Sequence, residues 1–226
     1  MTIFKKQERE TLKTTVLKEI KKAIFTRKLK PGDHIIEAEL AEQMGISRFP
    51  IREAISSLEK EGLVVTVPYK GAYVTEVNIK ALEELYTVRS ALEELAIRIL
   101  MEKKSSKDIK KLESIISDME KAALKRNEAL VSEDMRFHQT ICELTGHQKL
   151  LEMWLTLKDQ LMLFVALEEH SYDQPNQLVR AHYPVMEAIK SGDAQRAEKC
   201  IRDHLTEAMN ILKEILRSSG QEQAKS

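Results

Sequence analysis

Two arginines at helical spacing are the first residues of this sequence that could do chemistry. Arg48 and Arg52 lie four residues apart in GISRFPIRE, residues 45–53, with Pro50 between them. An arginine can pair in two-pronged fashion with O6 and N7 of guanine, and with phosphate. The pair therefore indicates a site for an anionic partner, provided that both side chains share one exposed helix face.

Four residues of metal-ligating types form a second group. Asp134 and His138 are four residues apart, and His182 and His204 follow on later segments. Each runs beside an apolar stripe, which directs its side chain into a helical bundle. Neutral imidazoles with one carboxylate suit zinc, nickel, cobalt, manganese or iron. The alternative is a set of hydrogen-bonded core histidines, because no spacing rule links residues on distant helices.

Three helices and a hairpin would position the arginines. Apolar residues at every fourth position predict a first helix over about residues 9–28; they are Leu12, Val16, Ile20 and Ile24. A second helix is predicted from Glu37 to Met44, with Gly45 at its end. Ser47 can cap a third helix, in which Pro50 is the third residue and needs no intrahelical N–H partner.

This third helix and the segment after it complete a winged helix-turn-helix pattern. The two arginines lie opposite its apolar stripe, which consists of Ile51, Ala54, Ile55 and Leu58. The runs LVVTV and AYVTEV then predict a hairpin joined by PYKG. Lys70 and Gly71 are at the hairpin tip, where a lysine can reach the minor groove or a phosphate. Exposed arginines at the start of the second helix of such a pair are typical of DNA-binding domains.

Residues after Val77 predict an antiparallel helical bundle. Asn78 can cap a helix that ends near Lys103, and short connections separate the later segments. These segments span residues 106–125, 127–144, 147–169, 177–190 and 194–217. The expected fold is mainly α: a winged helix-turn-helix over residues 1–76, a linker over 77–79, an all-α bundle over 80–218 and a polar tail over 219–226. Trp154 is predicted to be a core residue or a dimer contact, and His34, His147 and His170 are predicted to be surface residues.

Charge and composition narrow the function classes. The formal net charge is zero, yet residues 1–75 carry a net charge of +4 and the remainder −4. A basic end suggests an anionic partner, although a solvated lysine-rich helix explains the same count. Two cysteines without CxxC spacing fit a reducing compartment and argue against a disulfide scaffold or a cysteine-ligated zinc site. With no signal-peptide pattern and no run of about 18 apolar residues, we expect a cytoplasmic protein that does not cross a membrane.

The first part of the chain resembles the winged helix-turn-helix of the GntR family of bacterial transcription regulators. The motifs PGD, LAEQMGISR, PIREAI, LEKEGLV and KGAYV occur in the family's order. The resemblance implies that Ser47, Arg48, Arg52 and Gly71 meet DNA, and that the protein binds short palindromic operators as a homodimer. Phe49 departs from the pattern, since threonine is more usual there. It could touch a thymine methyl group or pack back on the domain.

Residues 80–217 resemble the FCD effector domain of the FadR-type branch of this family. The segments that carry the resemblance are LYTVRSALE, DMRFHQTI and AHYPVMEAIKSGDAQRAEKCIRDHL. It implies that Asp134, His138, His182 and His204 bind a divalent transition metal, with zinc as the first choice, beside a small organic acid that acts as effector. Arg89 matches an arginine that faces this cavity, although an i,i+4 surface pair with Glu93 is an alternative.

The main hypothesis is therefore a homodimeric, ligand-responsive regulator that is not an enzyme. One alternative is a regulator for which the metal itself is the signal. The other is a helical-bundle metalloenzyme, which would leave the arginines and the wing unexplained. Pro184, two residues after His182, also departs from the family pattern, and its effect on the preceding residue predicts that the helix begins or kinks there.

Overall fold

The computed structural model describes residues 11–125, 129–169 and 176–223, with side chains through 165 in the second range and through 218 in the third. Nine helices and three short strands occur within these ranges. The chain divides between Glu76 and Val77 into two compact units. His170, predicted to be exposed, lies outside the described residues.

The N-terminal unit is a three-helix domain with a small sheet. In chain order its elements are α1 (Leu12–Phe25), β1 (His34–Ile35), α2 (Glu37–Met44), α3 (Arg48–Lys60), β2 (Val64–Val67) and β3 (Gly71–Val74). Helices α1 and α2 both pack on α3. The predicted stripe of α3 is buried, and so is Pro50, the third residue of that helix. Gly45 adopts the left-handed conformation that ends α2 and allows the tight turn into α3.

The sheet has the strand order β1-β3-β2, and both pairings are antiparallel. The hairpin was predicted, but strand β1 was not, because its two residues are too few to show an alternating pattern. His34 pairs with Tyr73 and stacks on its ring, with the two ring centres 4.6 Å apart. His34 also limits Gly71, since a Cβ on this glycine would lie 2.6 Å from His34 Nε2. Gly71 has a φ of +102°, so both its conformation and its neighbour favour glycine.

Three expectations for this unit are corrected. Helix α1 ends at Phe25 rather than near residue 28, because Arg27 takes a positive φ of 56°. Leu12, expected on the apolar face, is 58% exposed, since it lies at the first helical position. Ser47 occupies the position before α3, but its side chain makes no capping hydrogen bond. Ser47 is therefore the N-cap residue of α3, as predicted, but the prediction of a capping hydrogen bond from its side chain is wrong.

The C-terminal unit is a six-helix bundle. Its helices are α4 (Ile79–Lys103), α5 (Ser106–Lys125), α6 (Ala129–Leu144), α7 (Gln148–Glu169), α8 (Asn176–Ser191) and α9 (Ala194–Gln223). Asn78 caps α4 by accepting a hydrogen bond of 2.9 Å from the Ala81 N–H. Helix α9 continues to Gln223, past the predicted end at residue 217. None of the described helices combines the length and apolar character needed to span a membrane.

Contacts among the six helices enclose one buried core. Helix α4 packs along α9 and contacts α6 and α7, while α8 packs on α9 and α5. Trp154 on α7 is fully buried, which agrees with the core alternative for this residue. Helix α8 runs through Pro184, so the prediction that a helix begins there is wrong. The helix tolerates this proline at the cost of one backbone hydrogen bond to the residue four before it.

Candidate metal centre and DNA-reading helix

The start of α3 presents polar and aromatic groups to solvent. Ser47, Arg48 and Phe49 are all exposed, and 69% of the Phe49 surface is accessible. Phe49 therefore does not pack back on the domain, one of its two predicted placements. Arg52, one turn after Arg48, is also exposed, and its Nε donates a hydrogen bond of 2.7 Å to Glu37 Oε2. The face that was predicted to meet DNA is thus open to a large partner.

The wing adds a second exposed group to the N-terminal unit. Tyr69, Lys70 and Gly71 are exposed at its tip, where the Lys70 N–H bonds to the Val67 carbonyl and closes the turn. Tyr69 has a positive φ of 63°, so a bulky residue occupies the left-handed region. No ion pair is recorded for Lys70 within the described ranges. Its ammonium group is available to an anion.

The C-terminal unit brings the four predicted ligands together from three helices. Asp134 and His138 extend from α6, His182 from α8 and His204 from α9. All four are buried, the most exposed being His204 at 7%. The potential ligand nitrogens of the three histidines all lie within 4.8 Å of one another. Asp134 adjoins this cluster through its Oδ1 atom, which lies 3.1 Å from His182 Nε2.

The distances between donor atoms match the edges of a coordination shell. His138 Nε2 lies 3.4 Å from His182 Nε2 and 3.3 Å from His204 Nε2. Two donors that each lie about 2.1 Å from one ion are separated by roughly 3.0–3.4 Å at angles between a right angle and the tetrahedral angle. The Asp134 Oδ1 to His138 Nε2 distance is wider, at 4.0 Å. The residues present therefore fit a transition-metal ion among the three nitrogens, with Asp134 as a further oxygen donor.

Hydrogen bonds at the opposite ring nitrogens favour this arrangement. His138 Nδ1 lies 2.6 Å from Glu93 Oε2, and His182 Nδ1 lies 2.8 Å from the Leu178 carbonyl. Both partners are acceptors, so each Nδ1 carries the proton and each Nε2 offers a lone pair. Metal-binding histidines are commonly oriented by acceptors of this kind.

Glu93 connects the cluster to two further helices and is completely buried. Its Oε1 accepts hydrogen bonds from Arg89 Nε at 2.8 Å and from Trp154 Nε1 at 3.0 Å. The Arg89–Glu93 pair has the predicted i,i+4 spacing, but it is buried and not a surface pair. One carboxylate thus links α4, α6 and α7 directly beside the candidate metal ligands.

Burial and charge set the protonation of the site. Burial lowers the pKa of His138, and that of His204 much further, so these rings are neutral near pH 7. Burial would raise the pKa of Asp134, but the neighbouring imidazoles of His182 and His138 and the charge of Arg89 outweigh it and hold the pKa at about 2. Burial would likewise raise the pKa of Glu93, but the hydrogen bonds from His138 and Arg89 and the charge of Arg89 keep it well below its usual range. Arg89 balances one carboxylate, and the remaining negative charge favours a cation among the imidazoles.

Arg89 has one group without a partner. Its side chain is 2% exposed, and its Nη2 atom has no hydrogen-bond partner among the described residues. A buried donor of this kind costs free energy unless something pairs with it. Two cavities adjoin the region: one of about 510 Å³ between α8 and α9, lined in part by His204, and one of about 390 Å³ between α4 and α9, lined in part by Tyr86. The Arg89 guanidinium lies 5.2 Å from the centre of the Tyr86 ring.

Three residues of these sites were missed as participants by sequence reasoning. Glu93 was considered only as a surface partner of Arg89, Trp154 only as a core residue or a dimer contact, and Glu37 only as the start of α2. A sequence signal did exist for Glu93, because its i,i+4 spacing from Arg89 is visible. The contacts of Glu93 with Trp154 and His138 depend on helices distant in sequence, as does that of Glu37 with Arg52 on α3.

A winged helix-turn-helix with exposed arginines, in one chain with a helical bundle, defines a DNA-binding transcription regulator. Comparison with protein families agrees. The "Bacterial regulatory proteins, gntR family" profile matches residues 12–74, and the "FCD domain" profile matches residues 84–207, more than half of the chain. The chain belongs to the GntR family of transcription regulators, in the group that carries an FCD domain.

Individual relatives extend the match over most of the chain. The chain is 28% identical to the uncharacterized HTH-type transcriptional regulator YdhC of Bacillus subtilis over 201 residues, 88% of this chain and 89% of that protein. It is 24% identical to the regulator McbR of Escherichia coli over 213 residues, covering 92% and 95% of the two chains. The solved structure of E. coli McbR/YncC shares the fold, with a TM-score of 0.75, 23% identity and coverage of 91% and 99%. Since these matches are to regulators and not to enzymes, the metalloenzyme alternative is set aside.

The Glu93 network leads to a prediction about stability. Glu93→Gln leaves Arg89 buried beside a neutral partner, and breaking a buried pair costs about 3–5 kcal/mol. Glu94→Gln is the matched control, because Glu94 pairs with exposed Arg202 and such a pair contributes at most about 1 kcal/mol. Denaturant unfolding followed by the fluorescence of Trp154, the only tryptophan, measures both. Equal unfolding midpoints for the two variants would contradict the role given to Glu93.

Proposed function

We propose that this protein is a homodimeric, ligand-responsive regulator that binds a palindromic operator through α3 and the wing. A small organic acid, bound beside a divalent metal in the C-terminal bundle, controls its affinity for DNA. The acid would favour one of two conformations of the dimer, and DNA affinity would follow their populations. As a bacterial DNA-binding regulator, it would act in the cytoplasm.

The observation that carries the DNA-binding part is the exposed face of α3. Its N-terminal turns present Ser47, Arg48, Phe49 and Arg52 without burying any of them in the domain. The residues in the N-terminal turns of a recognition helix contact base edges, and Phe49 offers an apolar group that could contact a thymine methyl. Lys70 and Gly71 at the wing tip are proposed to contact the minor groove or the backbone.

Two features support a dimer. A palindromic operator requires two-fold symmetry of the protein that reads it. The neighbouring helices α4 and α7 expose apolar side chains in the isolated chain, with Val88 46% exposed, Leu95 37% and Leu155 42%. Apolar surface of this kind is commonly covered in a subunit interface.

Arginine removal tests the DNA-binding face. Arg48→Ala or Arg52→Ala should each weaken binding to a fragment from upstream of the protein's own gene by about 1–3 kcal/mol, because each removes contacts to bases or phosphates. Band-shift titration measures the change. Arg217→Ala, an exposed arginine on α9, is the control and should bind as the parent does. If both α3 variants bind like the parent, α3 is not the recognition helix.

The observation that carries the metal part is the convergence of three histidine nitrogens. In His138 and His182 a hydrogen bond at Nδ1 orients the ring so that Nε2 faces the cluster, and Asp134 adds a carboxylate oxygen. The protein would bind zinc in preference, with nickel, manganese, cobalt or iron as alternatives. The metal would supply a positive charge and an open coordination position for an acid. The residues around it hold the imidazoles in their binding orientation.

Zinc content and stability test the metal site. Parent protein dialysed against zinc should retain one equivalent, and His204→Ala should bind it at least about 100-fold more weakly, because it loses a direct ligand. Elemental analysis measures retention, and thermal unfolding with and without a chelator measures the stabilisation. His34→Ala, an exposed histidine of the other unit, should behave like the parent. Equal zinc retention by the parent and His204→Ala would contradict the site.

Arg89 is proposed to bind the acid. Its unpartnered Nη2 can donate to a carboxylate, and the 390 Å³ cavity lined in part by its neighbour Tyr86 has the volume of a small-molecule site. One relative, the gluconate operon transcriptional repressor of Bacillus licheniformis, is named for an organic acid. It is 24% identical to this chain, over 87% of this chain and 83% of that protein.

Arg89→Lys tests the effector site without leaving Glu93 unpaired. Lysine keeps the positive charge but lacks the planar fork, so we expect affinity for the active acid to fall about 10–100-fold while zinc is retained. A thermal-shift screen of mono-, di- and tricarboxylic acids on zinc-loaded protein finds the acid, and band shifts at fixed zinc measure its effect on DNA. Unchanged acid affinity in the variant would place the acid elsewhere. DNA affinity that follows zinc and ignores every acid would favour the alternative in which the metal is the signal.

A further inference from the structure

Two side chains at the start of α2 and in α3 form an ion pair on the proposed DNA-reading face. Glu37 Oε2, at the first position of α2, accepts a hydrogen bond of 2.7 Å from Arg52 Nε. The Arg52 side chain remains 64% exposed and that of Glu37 34% exposed. The carboxylate therefore contacts the arginine without covering it.

This pair is not needed to hold α2 against α3. The two helices already pack together, with Ala41 of α2 and Ile51 and Ile55 of α3 buried, and Gly45 fixes the turn between them. Ion pairs at solvent-exposed positions contribute little to stability. The main effect of the contact falls on the conformation of Arg52, a long side chain that otherwise samples many rotamers.

The choice of nitrogen decides what Arg52 can still recognise. Glu37 accepts from Nε, and among the described residues no hydrogen bond or ion pair involves Nη1 or Nη2. These two groups form a planar fork, which can donate together to O6 and N7 of guanine. Because Glu37 accepts a hydrogen bond from Nε, the Nη1 and Nη2 groups are already oriented in the free protein. This lowers the entropic cost of forming a two-pronged contact with a base.

Arg48 differs from Arg52 in this respect. It is exposed one helical turn earlier, and no ion pair is recorded for it among the described residues. An arginine without a fixed orientation can follow a phosphate group over a range of positions. It is less suited to a geometrically strict base contact.

We propose that Glu37 is a positioning residue that presents Arg52 to a base edge, so that Arg52 discriminates between sequences while Arg48 supplies phosphate affinity. The inference rests on the proposed function, since it requires that α3 read DNA. Glu37 lies near the DNA phosphates in this arrangement, and its negative charge opposes binding to any sequence. Loss of that charge should therefore strengthen non-specific binding while selectivity falls.

Glu37→Gln tests the proposal, with Glu39→Gln as the matched control. Both residues are acidic and lie in the first turn of α2, so both substitutions remove one negative charge close to the same helix end. No ion pair with Arg52 is recorded for Glu39. The full-length variants are titrated with an operator fragment and with a fragment of equal length in which the operator sequence is scrambled, at several salt concentrations.

We expect Glu37→Gln to reduce the ratio of operator to scrambled affinity by about ten-fold, because part of the discrimination of one two-pronged contact is lost. Glu39→Gln should raise both affinities and leave the ratio unchanged. Far-UV circular dichroism and thermal unfolding should be the same for both variants as for the parent. In the double variant Glu37→Gln/Arg52→Ala, the loss should not exceed that of Arg52→Ala alone, since the two residues act through one contact.

Two outcomes would overturn the proposal. If the two glutamine variants show the same affinity ratio, Glu37 acts only through its charge. If Glu37→Gln raises the ratio, the ion pair withholds Arg52 from DNA instead of presenting it. In both cases Arg52→Ala still weakens operator binding. Parent-like operator binding by Arg52→Ala would instead contradict the proposed DNA-reading role of this residue, so the two failures are distinguishable.

Discussion

The buried carboxylate of Glu93 is the interaction on which the C-terminal bundle depends. A carboxylate removed from water requires compensation by cations and hydrogen-bond donors, and Glu93 receives it from Arg89, His138 and Trp154. These donors lie on α4, α6 and α7. The packing of three helices is therefore coupled to the electrostatic balance of one side chain, and the orientation of His138 follows from the same balance.

This network also relates the two proposed ligands of the bundle. Arg89 neutralises Glu93 through Nε and keeps Nη2 without a partner, while Glu93 orients His138 through the opposite oxygen. An acid that binds Nη2 would interact with the same positive charge of Arg89 that neutralises Glu93. A metal that binds His138 Nε2 would be bound by the imidazole ring whose Nδ1–H donates a hydrogen bond to Glu93. If both proposed ligands bind, a single carboxylate would connect the acid and the metal, without a long path through the protein.

The parts of the structure that were predictable from the sequence depend on local patterns. The bounds of α2 and α5 and the end of α4 follow from apolar periodicity, caps and glycine, which act within a few residues. The approach of Asp134 to His138 follows from helical spacing alone. Strand β1 is too short for a pattern, and the helix through Pro184 is stabilised by tertiary packing that outweighs local propensity. The contacts of Glu93 with Trp154 and of Glu37 with Arg52 join residues 61 and 15 positions apart, which no local rule relates.

Two arginine–glutamate pairs of nearly equal length show how burial decides the consequence of an interaction. Arg89 Nε lies 2.8 Å from Glu93, and Arg52 Nε lies 2.7 Å from Glu37. The first pair is buried, so each charge depends on the other and the pair constrains the fold. The second is exposed, so water screens it and the fold does not require it. The exposed pair still has an effect on orientation. A carboxylate that accepts a hydrogen bond from Nε limits the directions in which the rest of the guanidinium can point. The same two residue types therefore support the architecture of one unit and, as proposed, orient the DNA-binding surface of the other.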